Sequence, residues 1–302
     1  MPDAPMLSVV IPTCHRNDLL AKCLNRLAPG AQTLPPGCYE VVVTDDGSKT
    51  TAERMVREHY PWVKWAAGLR KGPAANRNNG AKYVRGEFLV FTDDDCLPEP
   101  GWLEGFVGAI RPEVTVYEGK TTCRDGLDLL WDEAPINLNG GPLWSCNLMI
   151  RKMTFEEMGG FDERFPYPAG EDEDFRERLL RAGHRYPFVE AACVDHPPRK
   201  RPLGRRAGER WESRVLFWYK TGAMGGDPAA RRVFVHMAKY RLWQMKKAGI
   251  GVGLGRALVS LLAEAWWVGR HARGWDRKYR ALYDDAQHAA SGAAARKAEA
   301  RP

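Results

Sequence analysis

Three short β-branched runs, each ending in polar or acidic residues, constrain the fold of this chain more than any other feature. Leu7-Ser8-Val9-Val10-Ile11 is stopped by Pro12 and followed by Thr13, His15 and Arg16. Tyr39 to Thr44 runs into Asp45-Asp46-Gly47-Ser48, and Phe88 to Thr92 runs into Asp93-Asp94-Asp95. Helical text separates the runs. Leu19, Leu20, Cys23, Leu24 and Leu27 repeat at helical spacing, and residues 51–59 read as a polar-faced helix. Pro73 suits the first turn of a helix ending near Gly86, and Pro100 can open another. Val63 to Ala67 is a weaker strand. Such alternation with short loops predicts an α/β fold, a mostly parallel sheet flanked by helices.

Ligands of an open parallel sheet bind at the carboxyl ends of its strands. The three polar clusters therefore share one edge, which collects up to five carboxylates. Without a cation they would repel and lose hydration, so a divalent metal is the economical expectation. All-oxygen ligands favour Mg²⁺ or Mn²⁺ over zinc, and Mg²⁺ completes its shell with water and substrate phosphates. A nucleotide or nucleotide sugar is the substrate class this suggests. Asp-Gly-Ser is also a good turn, so Asp45-Asp46 has a structural alternative; no turn needs three acids. No G-x-x-x-x-G-K-[ST] or G-x-G-x-x-G loop is present, which removes the simplest ATPase and dinucleotide readings.

Further along, Ser145 to Arg151 reads as a strand and 152–159 as a short helix closed by Gly159-Gly160. Glu171 to Ala182 reads as a helix with Gly183 beyond its end, and Tyr186 to Val194 as extended. The text then changes to Arg- and Trp-rich helix after Pro197-Pro198, and Ala286 to Pro302 is Ala-rich and expected to be disordered. Seven cysteines, an odd number without a C-x-x-C pair, argue against a disulfide framework or structural zinc and for a reducing cytosol. The N-terminus has no signal-peptide pattern, and no uncharged apolar run reaches the roughly 18 residues of a membrane span.

Seven pieces in order resemble the inverting glycosyltransferases of family 2. They are S-V-V-I-P-T (8–13), V-V-V-T-D-D-G-S (41–48), G-P-A-A-N-R-N-N-G (72–80), F-T-D-D-D-C-L-P-E-P-G-W-L (91–103), N-L-M-I-R (147–151), M-G-G-F-D-E (158–163) and G-E-D-E-D-F (170–175). The resemblance spans about residues 7–196 and implies a GT-A type sheet with a C-terminal helical extension. It implies a catalytic domain over 1–197, its nucleotide-sugar half about 1–110 and its acceptor half about 111–197. The extension covers 198–285 and the tail 286–302. It implies that Pro12, Thr13, Arg16, Asp45 and Asp46 hold base and ribose. Arg77 pairs with the diphosphate or braces the acidic loop, with Asn78 and Gly80 beside it. The D-x-D motif falls on Asp93, Asp94 and Asp95, with Asp95 as metal ligand, Asp93 and Asp94 as helpers toward ribose or water, and Asp93 also a candidate for the metal. His196 is a further candidate metal ligand.

The family's Glu-Asp motif falls on Glu171-Asp172. Inversion is a single in-line displacement, so a carboxylate must take the acceptor hydroxyl's proton as its oxygen attacks. Asp172 is the expected base, at a helix start whose dipole favours the ionised form. Asp174 is placed to position the acceptor or Arg178. The Gln-x-x-Arg-Trp motif of processive synthases is absent, which implies addition of one sugar. Trp131 and Trp144 are candidates for stacking on a sugar or for the core.

The net charge of +7 divides into −8 for residues 1–195 and +15 for 196–302. An acidic front makes nucleic acid an improbable partner. The basic residues clustered in 199–214, with the tryptophans beyond, suit an anionic membrane surface through residues 199–270. The expectation is a cytoplasmic enzyme, peripheral on the inner face of the membrane, that takes a nucleotide-diphosphate sugar and a glycan or polyprenyl-linked saccharide. The alternatives are a helical subdomain with a solvated basic face, an inactive transferase-like scaffold that binds nucleic acid, or a nucleotidyltransferase.

Overall fold

The computed structural model describes residues 5–128, 131–248 and 254–299. It divides into one unit of Met1–Asp128 with Asp132–Lys200 and a second of Leu129–Trp131 with Arg201–Pro302. In the first unit the order is β1 (Leu7–Thr13), α1 (Asn17–Leu27), β2 (Tyr39–Asp45), α2 (Glu53–His59), β3 (Val63–Ala67), α3 (Pro73–Gly80) and β4 (Phe88–Thr92). Then come β5 (Leu97–Pro98), α4 (Trp102–Ala109), β6 (Val116–Thr122), β7 (Asp132–Glu133), β8 (Asn147–Arg151), α5 (Lys152–Glu157), α6 (Glu171–Arg181), β9 (Phe188–Asp195) and β10 (Arg199–Lys200).

Eight strands form one sheet in the order β3-β2-β1-β4-β8-β6-β9-β5. β3, β2, β1 and β4 are parallel, and β8 enters antiparallel between β4 and β6. Thr13 pairs with Asp45 and Asp45 with Ala67, so these strands end at one edge. Thr92 pairs with Asn147, which puts the start of β8 at that edge too. Successive strand residues face opposite sides. Val9, Ile11, Val41, Val43 and Val90 pack with Leu20, Leu24, Trp102 and Phe106 on one side. Val10, Val42, Leu89 and Phe91 pack with Phe155, Phe161 and Phe175 on the other. Both faces are covered, which is why these strands read as continuous apolar runs.

Three expectations need correction. β1 continues through Pro12 to Thr13. Thr13 accepts from the Asp46 amide on the β2 side, so Pro12 faces the β4 side, where the ladder already ends at Val10 and Phe91. Its missing N–H is not needed there. Second, α3 ends at Gly80, closed by tight turns from Lys82 to Asn79 and from Tyr83 to Gly80. Third, the Ala-rich stretch expected as a tail continues a helix to Glu299, as alanine's helix propensity favours; residues 300–302 lie outside the described residues.

The second unit holds α7 (Arg205–Thr221), α8 (Ala229–Ala248) and α9 (Leu254–Glu299). Glu264, buried on α9, accepts from Trp211 Nε1 at 2.7 Å and from Arg241 at 2.6 Å, which ties the three helices together. Trp267 lies against Gly208, where any Cβ would clash. No helix among the described residues is long and apolar enough to cross a membrane.

Candidate active site

The carboxyl edge gathers the two acidic motifs around Arg77. Its guanidinium, buried on α3, lies 2.6 Å from Asp93 Oδ1 and 3.6 Å from Glu171 Oε1. The loop after β4 and the first turn of α6 are thereby joined by one cation, itself 5.8 Å over the Phe161 ring. Phe161 belongs to the cluster with Phe91, Phe155 and Phe175 that seats α5 and α6 beneath the site.

Arg16 clamps the rest of the acidic loop. Its Nη2 is 2.6 Å from Asp94 Oδ1 and its Nη1 is 2.8 Å from Asp95 Oδ2. Thr13 Oγ1 donates to Asp94 Oδ2 at 2.6 Å, so Asp94 is a fully buried anchor of the loop. Burial pushes the Asp94 carboxyl up to about 7, against the pull of Arg16 and Thr13. Asp95 goes the other way. Burial would raise it, but His196, Arg16 and Arg199 outweigh that and hold it well below the usual carboxylate range.

Asp95 and His196 are the pair that fits a cation. Asp95 Oδ1 and His196 Nε2 lie 3.2 Å apart, yet both atoms are buried and neither makes a hydrogen bond among the described residues. His196 Nδ1 meets the Pro197 carbonyl oxygen at 2.9 Å. A carbonyl only accepts, so Nδ1 carries the proton and, in the neutral ring, the Nε2 lone pair is left for a metal. Without a cation, burial lowers the His196 pKa but contact with Asp95 prevails and raises it to about 9. A bound cation inverts that preference. The Cys96 thiol also lies within this group. Burial raises its pKa well above normal, so it stays a neutral thiol, ill-suited to Mg²⁺ or Mn²⁺. Asp93 faces Arg77 instead of this pair.

Asp172 Oδ2 accepts from the Ser145 amide at 3.2 Å, while Oδ1 has no hydrogen-bond partner among the described residues. The helix start was expected to hold Asp172 ionised. Burial, with Asp93 nearby, instead raises its pKa despite Arg77 and Ser145. Burial and Asp172 raise Glu171 to about 7 against Arg77.

Other expected residues hold loops around the site. Asp45 accepts from the amides of Gly47 at 2.7 Å and Ala52 at 2.5 Å, fixing the loop after β2. Asp46 accepts from the amides of Arg70 at 2.9 Å and Gly72 at 3.0 Å, fixing the turn before α3. Asn78 exchanges hydrogen bonds with the Phe161 backbone. Gly80 packs on β1. Asp174 holds Arg178, which reaches the Met158 and Gly160 carbonyls. Trp144 packs against the core.

Two residues were missed. Glu118, buried on β6, accepts from the amides of Gly141 and Leu143. Leu143 has φ +53° and Gly141 φ +119°, so this carboxylate holds a left-handed loop two residues before Ser145. V-Y-E-G-K-T-T carries no clean alternation, and nothing local marks its glutamate. Arg199, counted with the basic cluster, belongs to β10, pairs with Glu133 and lies 3.9 Å from Asp95.

The model of glycosyl transferase family 2 matches residues 8–157. The chain is 30% identical over 283 residues to the pre-mycofactocin glycosyltransferase of Mycobacterium tuberculosis, covering 85% of this chain and 55% of that one. It is 29% identical to the chondroitin synthase of Escherichia coli, covering 70% and 38%. It thus spans about half or less of these curated relatives. Among solved structures, the mannosyltransferase PcManGT of Pyrobaculum calidifontis, in complex with GDP-Man and Mn²⁺, superposes with a TM-score of 0.51 at 19% identity, over 97% of this chain and 81% of that one. The fold is that of the GT-A glycosyltransferases. The chain belongs to glycosyltransferase family 2.

Proposed function

We propose that this chain transfers one sugar, with inversion, from a nucleotide-diphosphate sugar to a hydroxyl of a glycan or polyprenyl-linked saccharide in cell-surface polysaccharide synthesis. The observation that carries the reading is the meeting of the Asp93–Asp95 loop and the Glu171-Asp172 pair through Arg77. One motif handles the diphosphate, the other the attacking hydroxyl, and a displacement needs both at one carbon.

Asp172 is the base. Its Oδ2 is fixed by Ser145 and its unpartnered Oδ1 takes the acceptor's proton as the acceptor oxygen bonds to the anomeric carbon. The bond from that carbon to the diphosphate breaks, and the electron pair leaves with the nucleoside diphosphate. Held by Asp95 and His196, Mn²⁺ or Mg²⁺ would neutralise the charge that develops there. Arg16 and Arg199 flank Asp95 and supply further positive charge for the departing group. Asp45 and Asp46 shape the nucleotide pocket through the loops they hold. GDP-Man and Mn²⁺ in PcManGT support the donor and metal classes. The E. coli chondroitin synthase among the relatives supports a polysaccharide class of product. The working place is the cytoplasm, peripheral on the inner face of the membrane.

The test is a panel of nucleotide sugars with Mn²⁺ or Mg²⁺, read by thermal shift and by released nucleoside diphosphate. One nucleotide should stabilise the protein only with metal, and Asp95→Ala should abolish this. Asp172→Asn should bind and not turn over. Binding by Asp95→Ala equal to the parent's, or turnover by Asp172→Asn, refutes the assignment.

A further inference from the structure

The second unit carries a face that transfer chemistry does not use. Leu258, Val259, Leu262 and Trp266 on α9 are between 47% and 69% exposed. Their spacing puts them on one side of the helix. The opposite side, with Ser260, Glu264, Val268 and Ala272, is buried. On α8, Leu242 and Trp243 are also exposed. They follow Arg241, which pairs with Glu264 on α9.

The exposed face changes character along its length. Past Trp266 the same side presents Arg270, Arg273 and Arg277, at i+4, i+7 and i+11. Arg270 lies 5.6 Å over the Trp266 ring. Arg273 and Arg277 have no ion-pair partner among the described residues. One stripe is thus apolar for about 12 Å and cationic for about 17 Å more, at the rise of an α-helix. A tryptophan stands at the junction. Hydrocarbon and phosphate side by side are what a bilayer interface offers, and tryptophan prefers that boundary.

We propose that this face of α9 docks on an anionic lipid surface, with Leu258, Val259, Leu262 and Trp266 in the acyl boundary and the three arginines on lipid phosphates. The proposal rests on the peripheral-membrane part of the reading above and changes its contact residues. Residues of the basic cluster of 199–214 are engaged by partners within their respective units. Arg199 pairs with Glu133 and Arg205 with Glu209, and Arg214 stacks on Phe217.

The experiment is flotation of the full chain with vesicles of phosphatidylcholine alone or with one-third phosphatidylglycerol, at low and high salt. Anionic vesicles should capture the protein, and salt should release much of it. Leu262→Glu and Arg273→Glu/Arg277→Glu change exposed side chains and should each lower partitioning by about tenfold or more, since one arginine near such a surface contributes roughly fivefold. Arg206→Glu, within the 199–214 cluster, should partition like the parent. Nucleotide-dependent thermal shift should be the same in all these variants. That readout separates the two claims: vesicle binding without nucleotide binding would sink the transferase reading alone. Partitioning that is unchanged in Leu262→Glu and in the double arginine variant overturns the proposal. So does a concentration-dependent dimer that Leu262→Glu splits while no vesicle is bound, which would make the face a contact between copies.

Discussion

Arg77 Nη2 sits 2.6 Å from Asp93 Oδ1, with only 6% and 17% of the two side chains exposed. A pair so withdrawn from water is costly to break, because the remaining charge stays buried without a partner. Arg77→Ala should cost about 3–5 kcal/mol, read from chemical denaturation. Arg77→Lys should recover part of this, since one ammonium cannot serve Asp93 and Glu171 as a planar fork does. A loss below about 1 kcal/mol in the alanine variant, the range of exposed pairs, would show that the pair does not hold the two motifs together.

Glu171 should make stability depend on pH in an unusual sense. In the unfolded chain a glutamate titrates near 4.3, whereas burial and Asp172 raise it to about 7 here. Between those values the folded state holds the proton and the unfolded state does not. The stability associated with the protonated group is therefore lost as pH rises through the window. Asp94, raised to about 7 chiefly by burial, acts in the same direction. Asp95, held low, contributes stability above the unfolded value near 3.9 that is lost on acidification. Without metal, Glu171→Gln should gain on the parent between pH 5 and 8, on the order of 2 kcal/mol. Melting curves across that range check it, and a parallel pH course for the two proteins would contradict it.

Turnover should rise as pH is raised from the acid side. Asp172 must be ionised to accept a proton, and its pKa is raised. Because it is coupled to Glu171, the apparent values in the profile should belong to the pair and not to either carboxyl alone. Glu171→Gln should move the acid limb of kcat/KM to lower pH by removing a neighbouring negative charge. An unmoved limb would separate Glu171 from the titration of the base.

Glu118→Ala leaves the Gly141 and Leu143 amides without their acceptor. The expected cost is about 1–3 kcal/mol for unsatisfied buried donors. The loop leads directly to Ser145, so acceptor KM and kcat should suffer while nucleotide affinity holds. Steady-state kinetics beside nucleotide titration distinguish this from global weakening, which would reduce both.

Gly80→Ala separates packing from ligand binding at the end of G-P-A-A-N-R-N-N-G. Helix propensity favours alanine by about 1 kcal/mol. Its methyl, however, would lie 2.5 Å from Val10 Cγ1 on β1. Overpacking of about 1–3 kcal/mol should prevail, as a lower melting temperature with unchanged nucleotide affinity. Equal stability with weakened nucleotide binding would return Gly80 to the binding site.

The parallel half of the sheet was legible because both its faces are buried, so β1, β2 and β4 appear as uninterrupted apolar runs. Their acidic ends were legible because strand polarity places them together. The division of labour among those acids was not. Asp94 differs from Asp95 only in where Thr13 and His196 lie, some 80 to 100 residues away in sequence. The loop contacts of Asp45, Asp46 and Asn78 were not legible, because the amides and carbonyl they meet are brought there by the fold. Glu118 escaped notice because its meaning lies in the φ angles of a loop more than twenty residues downstream. Arg199 was misplaced because composition groups residues by neighbourhood in sequence.

The sheet runs from β3 to β5 without a break, with β8 hydrogen-bonded to β4 on one side and β6 on the other. The residues before and after position 110 are therefore not separable cartridges. An engineer who exchanged one half for a relative's, hoping to import a new donor, would cut through a hydrogen-bonded ladder and divorce Arg77 from Glu171. Replacement of the loops at the carboxyl edge leaves both intact, which makes loop grafting the workable route to altered specificity.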